Sequence, residues 1–270
     1  MAEIHPTAII DPLAHLAADV KIGAYAIIKG EVHIGEGTVV HDHTHIHGCA
    51  RIGRRCKIGP AAYVGLEPQH LKYNGELTWT VVGDDVVIRE TATIHRSFHA
   101  GEEHATRIGD RCFIMAAAHV AHDCSIGNDA VLANAVLLAG HCTIGQKCFL
   151  GGGVGLHQFC RVGRLAIIAG NEGLSQDIPP FASVRNGMLR GYNAVGCRRN
   201  GLPPATIVAI RAAYHRLAKH RIRSTALAAI RAEVPQLPEV VEILAFIEAS
   251  KRGIVPSFPQ RAFVDTESRG

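Results

Sequence analysis

The chain has 270 residues, with 28 Lys and Arg against 24 Asp and Glu, a formal charge of +4, and 47% hydrophobic residues. This composition excludes a disordered chain, and no apolar run reaches the roughly 18 residues of a membrane span. The start, MAEIHPTAIIDP, lacks the basic and apolar regions of a secretory leader, so a cytoplasmic protein without stable membrane insertion is expected. The slight basic excess suits an acidic partner or a phosphorylated substrate and gives no sign of nucleic-acid binding. Aromatics are only 5%, while Gly numbers 28 and His 17, so the core must be built from aliphatic and small residues in narrow layers.

From Ile4 to Val64 every sixth residue is aliphatic. The row resumes at Val82, Ile88 and Ile94, shifts by two, and then runs unbroken from Ile108 to Leu174. A period of six fits neither the 3.6 of a helix nor the alternation of a plain strand. Four residues after each aliphatic comes a mostly small residue, such as Ala26, Cys56, Ala118 or Cys142. Gly often follows the aliphatic, as at Gly23, Gly53 and Gly163, and is expected to let the chain turn where a Cβ would crowd. Each unit therefore reads as a short strand and a turn, and three units close a triangular coil of 18 residues that stacks on the next with parallel hydrogen bonding. The fold class predicted is an all-β parallel β-helix over residues 1–181.

Six of the eight cysteines, Cys56, Cys112, Cys124, Cys142, Cys148 and Cys160, fall in the small inward slot, where a thiol packs as a compact hydrophobe. No C-x-x-C cluster suggests zinc, and no metal cofactor is expected. His41, His43, His45 and His47 alternate around Ile46 and read as a solvated or subunit-facing ladder in preference to a metal tract. The segments 66–80 and 96–106 break the row and are expected to be loop excursions, the usual place for binding groups on a rigid solenoid. Residues 182–203 read as a connector. Beyond it, 204–270 takes a helical period, with one helix near Pro204, a second from Ser224 or Thr225 to Glu233, a third from Glu239 to Lys251, and an extended tail from Arg252.

A solenoid of this kind fits an acyltransferase, a carbonic anhydrase or a scaffold, so the polar residues must decide. Histidine is the side chain best suited to move a proton near neutral pH. His122 lies two residues past its aliphatic in AHVAHDC, next to Asp123, and counts into the same region of the coil as His119, His141 and His157. Metal-free acid–base chemistry by this histidine cluster is the favoured reading. A zinc lyase with three histidines converging across a subunit boundary, and a non-catalytic scaffold, stand as alternatives.

The stretches QHLKYNGE, IRETATIHR, AAAHVAHDCSIGN, LANAVLLAGH, GLHQFC, SQDIPP and NAVGCRRNG together resemble the acyl-carrier-protein-dependent UDP-N-acetylglucosamine O-acyltransferases of lipid A biosynthesis, over nearly the whole chain. The resemblance implies a left-handed β-helix with a helical C-terminal domain, and a homotrimer with active sites between subunits. The donor it implies is an acyl-pantetheine on acyl carrier protein, and the acceptor a UDP-amino sugar. His122 matches the general base, Asp123 its orienting carboxylate, and the Gly140 N–H the oxyanion donor. His119, His141, His157 and Gln158 match residues of the same cleft, Lys72 a loop lysine that contacts substrate, and Asn193 and Arg199 residues around the nucleotide. Gly170 matches the position that limits acyl length, and a glycine there implies a fairly long chain. Arg161 and Arg164 are expected to be exposed and to steer the acidic carrier. The chain departs from the family at His70, where an aspartate contacts the sugar, at Val195 in place of a glutamate, and at Asn200 in place of an arginine. These changes leave the acceptor sugar, and O- versus N-acylation, open. With the resemblance, the non-catalytic alternative becomes a trimeric sugar-nucleotide-binding paralogue.

Overall fold

The computed structural model describes residues 2–220 and 222–258. Each hexad folds as a strand of two to four residues and a turn, as in His119–Val120 followed by Ser125–Ile126. The aliphatic of each strand points inward, and Ile28, Ile58, Ile88, Val120 and Leu138 are fully buried. Strands stack as three faces of 11, 9 and 8 strands, parallel and each pairing with the strand three units further on except at the end of the first face. The first face begins at Glu3–Ile4, the second at Ile9–Ile10 and the third at His15–Leu16. The result is the left-handed hexapeptide-repeat solenoid with a helical C-terminal domain.

The turns hold one correction. The residue with left-handed backbone is the third after the aliphatic, and it is usually not glycine: Tyr25, His43, Ala61, Asp123 and His141 all have φ between 51° and 62°. L-residues are uncommon there. The stacked coils offset the cost, because that residue's N–H bonds to a carbonyl of the preceding coil, as in His141 N–H to His122 O at 3.0 Å. Glycine directly after the aliphatic serves coil spacing instead. A Cβ at Gly53 would lie 2.4 Å from the carbonyl oxygen of Gly83. The thiols likewise do more than fill space: Cys112 and Cys148 donate to the carbonyls of Gly127 and Gly163 at 3.2 and 3.0 Å. Burial pushes these thiols up, to about 11 for Cys112 and about 12 for Cys148, and all eight cysteines are buried and free.

The strand register accounts for both breaks in the row. Ile58 pairs with Ile88, 30 residues on, so the first excursion adds a multiple of six and the phase survives. Ile88 pairs with Ile114, 26 residues on, so the second adds eight and shifts the phase by two. The histidine ladder is less regular than its spacing suggested. His45 and His47 flank Ile46 on one strand with rings 5.6 Å apart, whereas His43 lies in the preceding turn against Tyr25.

The segment read as a connector is ordered. Ala182–Arg185 adds a last parallel strand to the first face and folds back as a hairpin with Met188–Tyr192. Next come helices α1 (Ala194–Arg199), α2 (Pro204–Lys219), α3 (Arg223–Glu233) and α4 (Pro238–Glu248). Pro204 and Pro238 occupy the first turn of α2 and α4, where a missing N–H costs nothing. The expected tail runs extended through Phe258, bridging Asp177 at Ile254 and Leu189 at Ser257, and its remainder lies outside the described residues.

Arg161 and Arg164 are not free to steer a partner. Arg161 pairs with Asp177, itself 1% exposed, and donates to Phe246 O, while Arg164 pairs with Glu242. Their position in the repeat points outward, but the helical domain folds over it and uses both arginines to dock on the last coil.

Candidate active site

The corner between the second and third faces carries the polar cluster. His122, Gly140 and Gln158 sit two residues past Val120, Leu138 and Leu156, so they stack on successive coils of that corner. Along the second face the outward column runs Thr93, His119, Leu137 and Gly155. The first excursion leans over this column. Together they enclose a groove of about 690 Å³ lined by His70, Lys72, His119, His122, Gly140 and Gln158, among others.

His122 and Asp123 have side chains only 10% and 8% exposed, so their charges must be paired within the protein. The left-handed turn at Asp123 (φ 58°) brings neighbouring side chains together, and His122 Nδ1 lies 2.6 Å from Asp123 Oδ2. With Nδ1 engaged by the carboxylate, Nε2 is left to accept a proton. Gly140 packs against this ring: a Cβ there would sit 2.6 Å from Cε1 and 2.8 Å from Nε2. Among the described residues the Gly140 N–H meets no acceptor, although it lies in the groove wall. A proton acceptor and a glycine whose N–H has no partner within the described residues thus line the same groove, which suits attack of a hydroxyl on a carbonyl.

Electrostatics support that arrangement. Burial would raise the Asp123 carboxyl, but bonds from His122 and the Phe98 N–H, with His141 nearby, outweigh it and hold the group below its ordinary value. Burial, with His95 and His122 nearby, pushes His119 down to about 4, so it is neutral at working pH. His141 is lowered chiefly by burial, although Asp123 works against this. Its Nε2 lies 3.7 Å from Asp123 and its ring stacks on Phe159 at 4.5 Å.

The structure gathers part of the expected set. His70 belongs to it, with its ring 5.3 Å from that of His122, and Lys72 is exposed on the same loop. His157 points out of the cluster, against Gln158 O at 3.3 Å. Gly170 lies on the turn before Gly173–Leu174, where a Cβ would be 3.0 Å from Gly152 O, and is not part of the groove wall. Asn193 caps α1, accepting from Gly196 N–H and donating to Leu165 O, while Arg199 is exposed in the last turn of that helix. Asn200 bonds Gly196 O, and Val195 is exposed. The only grouping with metal-ligand spacing among the described residues is His122, Asp123 and His141.

Four participants escaped the sequence reading. Thr93 Oγ1 contacts His119 Nδ1 at 2.7 Å, and His95 is buried with Nδ1 2.5 Å from Glu67 O. Both could have been found by counting phase, since they flank Ile94 as His119 and Ala121 flank Val120. Phe98, whose N–H bonds to Asp123, lies in the second excursion, where no phase exists to count, whereas Thr106 opens the strand Thr106–Ile108 and occupies the small inward slot two residues before Ile108.

Fold and site define a hexapeptide-repeat acyltransferase. Residues 31–65 and 105–140 match the family described as bacterial transferase hexapeptide, and 177–255 match UDP N-acetylglucosamine O-acyltransferase, domain 2. The acyl-[acyl-carrier-protein]–UDP-N-acetylglucosamine O-acyltransferase of Thermodesulfovibrio yellowstonii is 45% identical over 94% of this chain and 99% of its own length. That of Chlamydia pneumoniae is 48% identical over 97% of this chain and 95% of its own. Among solved structures, LpxA from Acinetobacter baumannii superposes with a TM-score of 0.87 at 40% identity, covering 93% of this chain and 99% of that one. The Francisella novicida UDP-N-acetylglucosamine acyltransferase gives 0.89 at 33% identity, covering 99% and 98%. The chain belongs to this LpxA family of acyl-carrier-protein-dependent UDP-N-acetylglucosamine O-acyltransferases of lipid A biosynthesis, and the zinc-lyase alternative falls with that membership.

Proposed function

We infer that the chain transfers a (3-hydroxy)acyl group from acyl carrier protein to the 3-position of UDP-N-acetylglucosamine or a close UDP-amino sugar, with His122 as general base. A sugar hydroxyl holds its proton far too tightly to attack a thioester unaided at neutral pH. His122 Nε2 takes that proton as the oxygen attacks the thioester carbonyl, and returns it to the departing pantetheine sulfur. Asp123 stabilises the imidazolium, and the Gly140 N–H stabilises the tetrahedral oxyanion, an effect worth roughly 3 kcal/mol per donor in other enzymes. The acyl group passes directly between substrates. The observation that carries this reading is the 2.6 Å His122–Asp123 pair in the groove wall, with Gly140 packed against the same ring.

His70, Lys72, His119, His141 and Gln158 surround the acceptor in this reading, and Gly170 sets the acyl length. A homotrimer fits the outward column of the first face, where Val87, Phe113, Val131, Phe149 and Ile167 form an apolar stripe over five coils. A neighbouring subunit would then supply His157, Asn193 and Arg199, which lie off the groove of their own chain. The eight unpaired thiols suit a reducing, cytoplasmic setting, and no described helix is long and apolar enough to cross a membrane. The test is a product assay pairing UDP-N-acetylglucosamine and its 3-amino analogue with carrier-bound acyl chains of graded length. Acyl-sugar formation from one pair supports the reading, and no product from any pair refutes it.

A further inference from the structure

The second excursion begins and ends on Asp123. At its start the Phe98 N–H donates to both carboxylate oxygens, at 3.3 and 3.2 Å. At its end the hydroxyl of Thr106 accepts the Asp123 backbone N–H at 2.8 Å. The second contact replaces a piece of the repeat. In uninterrupted coils the N–H of the left-handed turn residue bonds to a carbonyl two residues past the aliphatic of the coil before, as His43 does to Ala24 and Asp129 to Asp110. For Asp123 that acceptor would be Arg96, but the chain leaves the coil there, and the fully buried Thr106 supplies the oxygen instead.

The excursion is itself fixed at both ends. Ser97 is fully buried, exchanges backbone and side-chain bonds with Trp79 at 3.0 and 3.2 Å, and donates to His99 O at 3.0 Å. A single 3₁₀ turn, Glu102–His104, is held by Arg51 on the Glu102 carboxylate and by Arg107 on its carbonyl. The Phe98 ring packs on His70 at 4.0 Å, so the two excursions meet beside His122. A mere loop on the surface needs none of these anchors.

We propose that the second excursion is a clamp for the carboxylate of the proton-transfer pair, with the Phe98 amide and the Thr106 hydroxyl as its positioning groups. The inference rests on the His122–Asp123 reading given above. A carboxylate has about four acceptor sites. His122 uses one, and the amide of Phe98 fixes the plane of the rest, so that Asp123 accepts from Nδ1 and leaves Nε2 as the base. Neither group touches the reacting atoms.

Replacing the Phe98 amide by an ester, through incorporation of the matching 2-hydroxy acid, removes the donor and keeps the ring. We expect kcat to fall roughly tenfold with KM for the UDP-sugar changed less than about twofold, as for a misaligned but intact site. Without that donor Asp123 protonates more readily, so the acid limb of the kcat profile moves to higher pH. Thr106→Val should fall in the same direction and Thr106→Ser should restore the rate. Wild-type kcat and an unchanged pH profile in the ester variant, with His122→Ala inactive, would overturn the clamp alone. An active His122→Ala would overturn the base assignment beneath it.

Discussion

The coil wall and the two excursions solve opposite problems with the same chain. Along the wall, each position of the hexad meets nearly the same surroundings from coil to coil, so Ile58, Ile88 and Ile114 are interchangeable parts of one row. In the excursions no position repeats, and single contacts matter, as when one N–H of Phe98 reaches Asp123. The wall supplies accurate backbone positions at low sequence cost. The excursions supply the groups that a repeat cannot make, because a repeat would place them on every coil.

Truncation separates the two regimes most strongly in stability. Ile58→Ala, at a fully buried wall position, should cost about 2–5 kcal/mol. Leu71→Ala, at the fully exposed tip of the first excursion, should change stability by less than about 0.5 kcal/mol. Urea unfolding of both variants measures the contrast. At the junction with the helical domain, Arg161→Ala leaves the buried Asp177 without its cation and should cost about 3 kcal/mol. Its KM for the acyl carrier should stay near wild type, and a several-fold rise would return Arg161 to carrier docking.

Where wall and chemistry coincide, the effect should appear in rate. Gly140→Ala forces a Cβ into the ring of His122, and kcat should drop about 100-fold with little change in melting temperature. A smaller effect concerns pH. His119 titrates near 4 in the folded protein, below the ordinary 6.5, so the stability that it contributes is complete above pH 6.5 and is lost as pH falls from there toward 4. His119→Asn should flatten the decline of the urea midpoint across that window, and an unchanged slope would place the titrating group elsewhere.

The same contrast explains what could be read from sequence. The rows from Ile4 to Leu174 gave away most inward side chains of the coils, and the two-residue phase shift announced an insertion between Ile94 and Ile108. His122 was legible because its distance from Val120 could be counted, and so was its stacking with Gly140. That Asp123 turns toward His122 was not legible, because adjacent side chains usually diverge and only the left-handed turn brings them together. The clamp on Asp123 was hidden for a different reason: a backbone N–H belongs to every residue type. Arg161 and Arg164 looked free because the packing of the helices over the last coil is a tertiary event that no local pattern encodes.

The proton-transfer assignment can be tested most directly by single-turnover acyl transfer with His122→Ala, using UDP-sugar and carrier-bound acyl chain at saturating concentrations. Loss of the base should reduce the rate by about 100-fold or more, while circular dichroism and thermal unfolding remain those of the wild-type solenoid. A folded variant that still forms product at the wild-type rate would contradict the account.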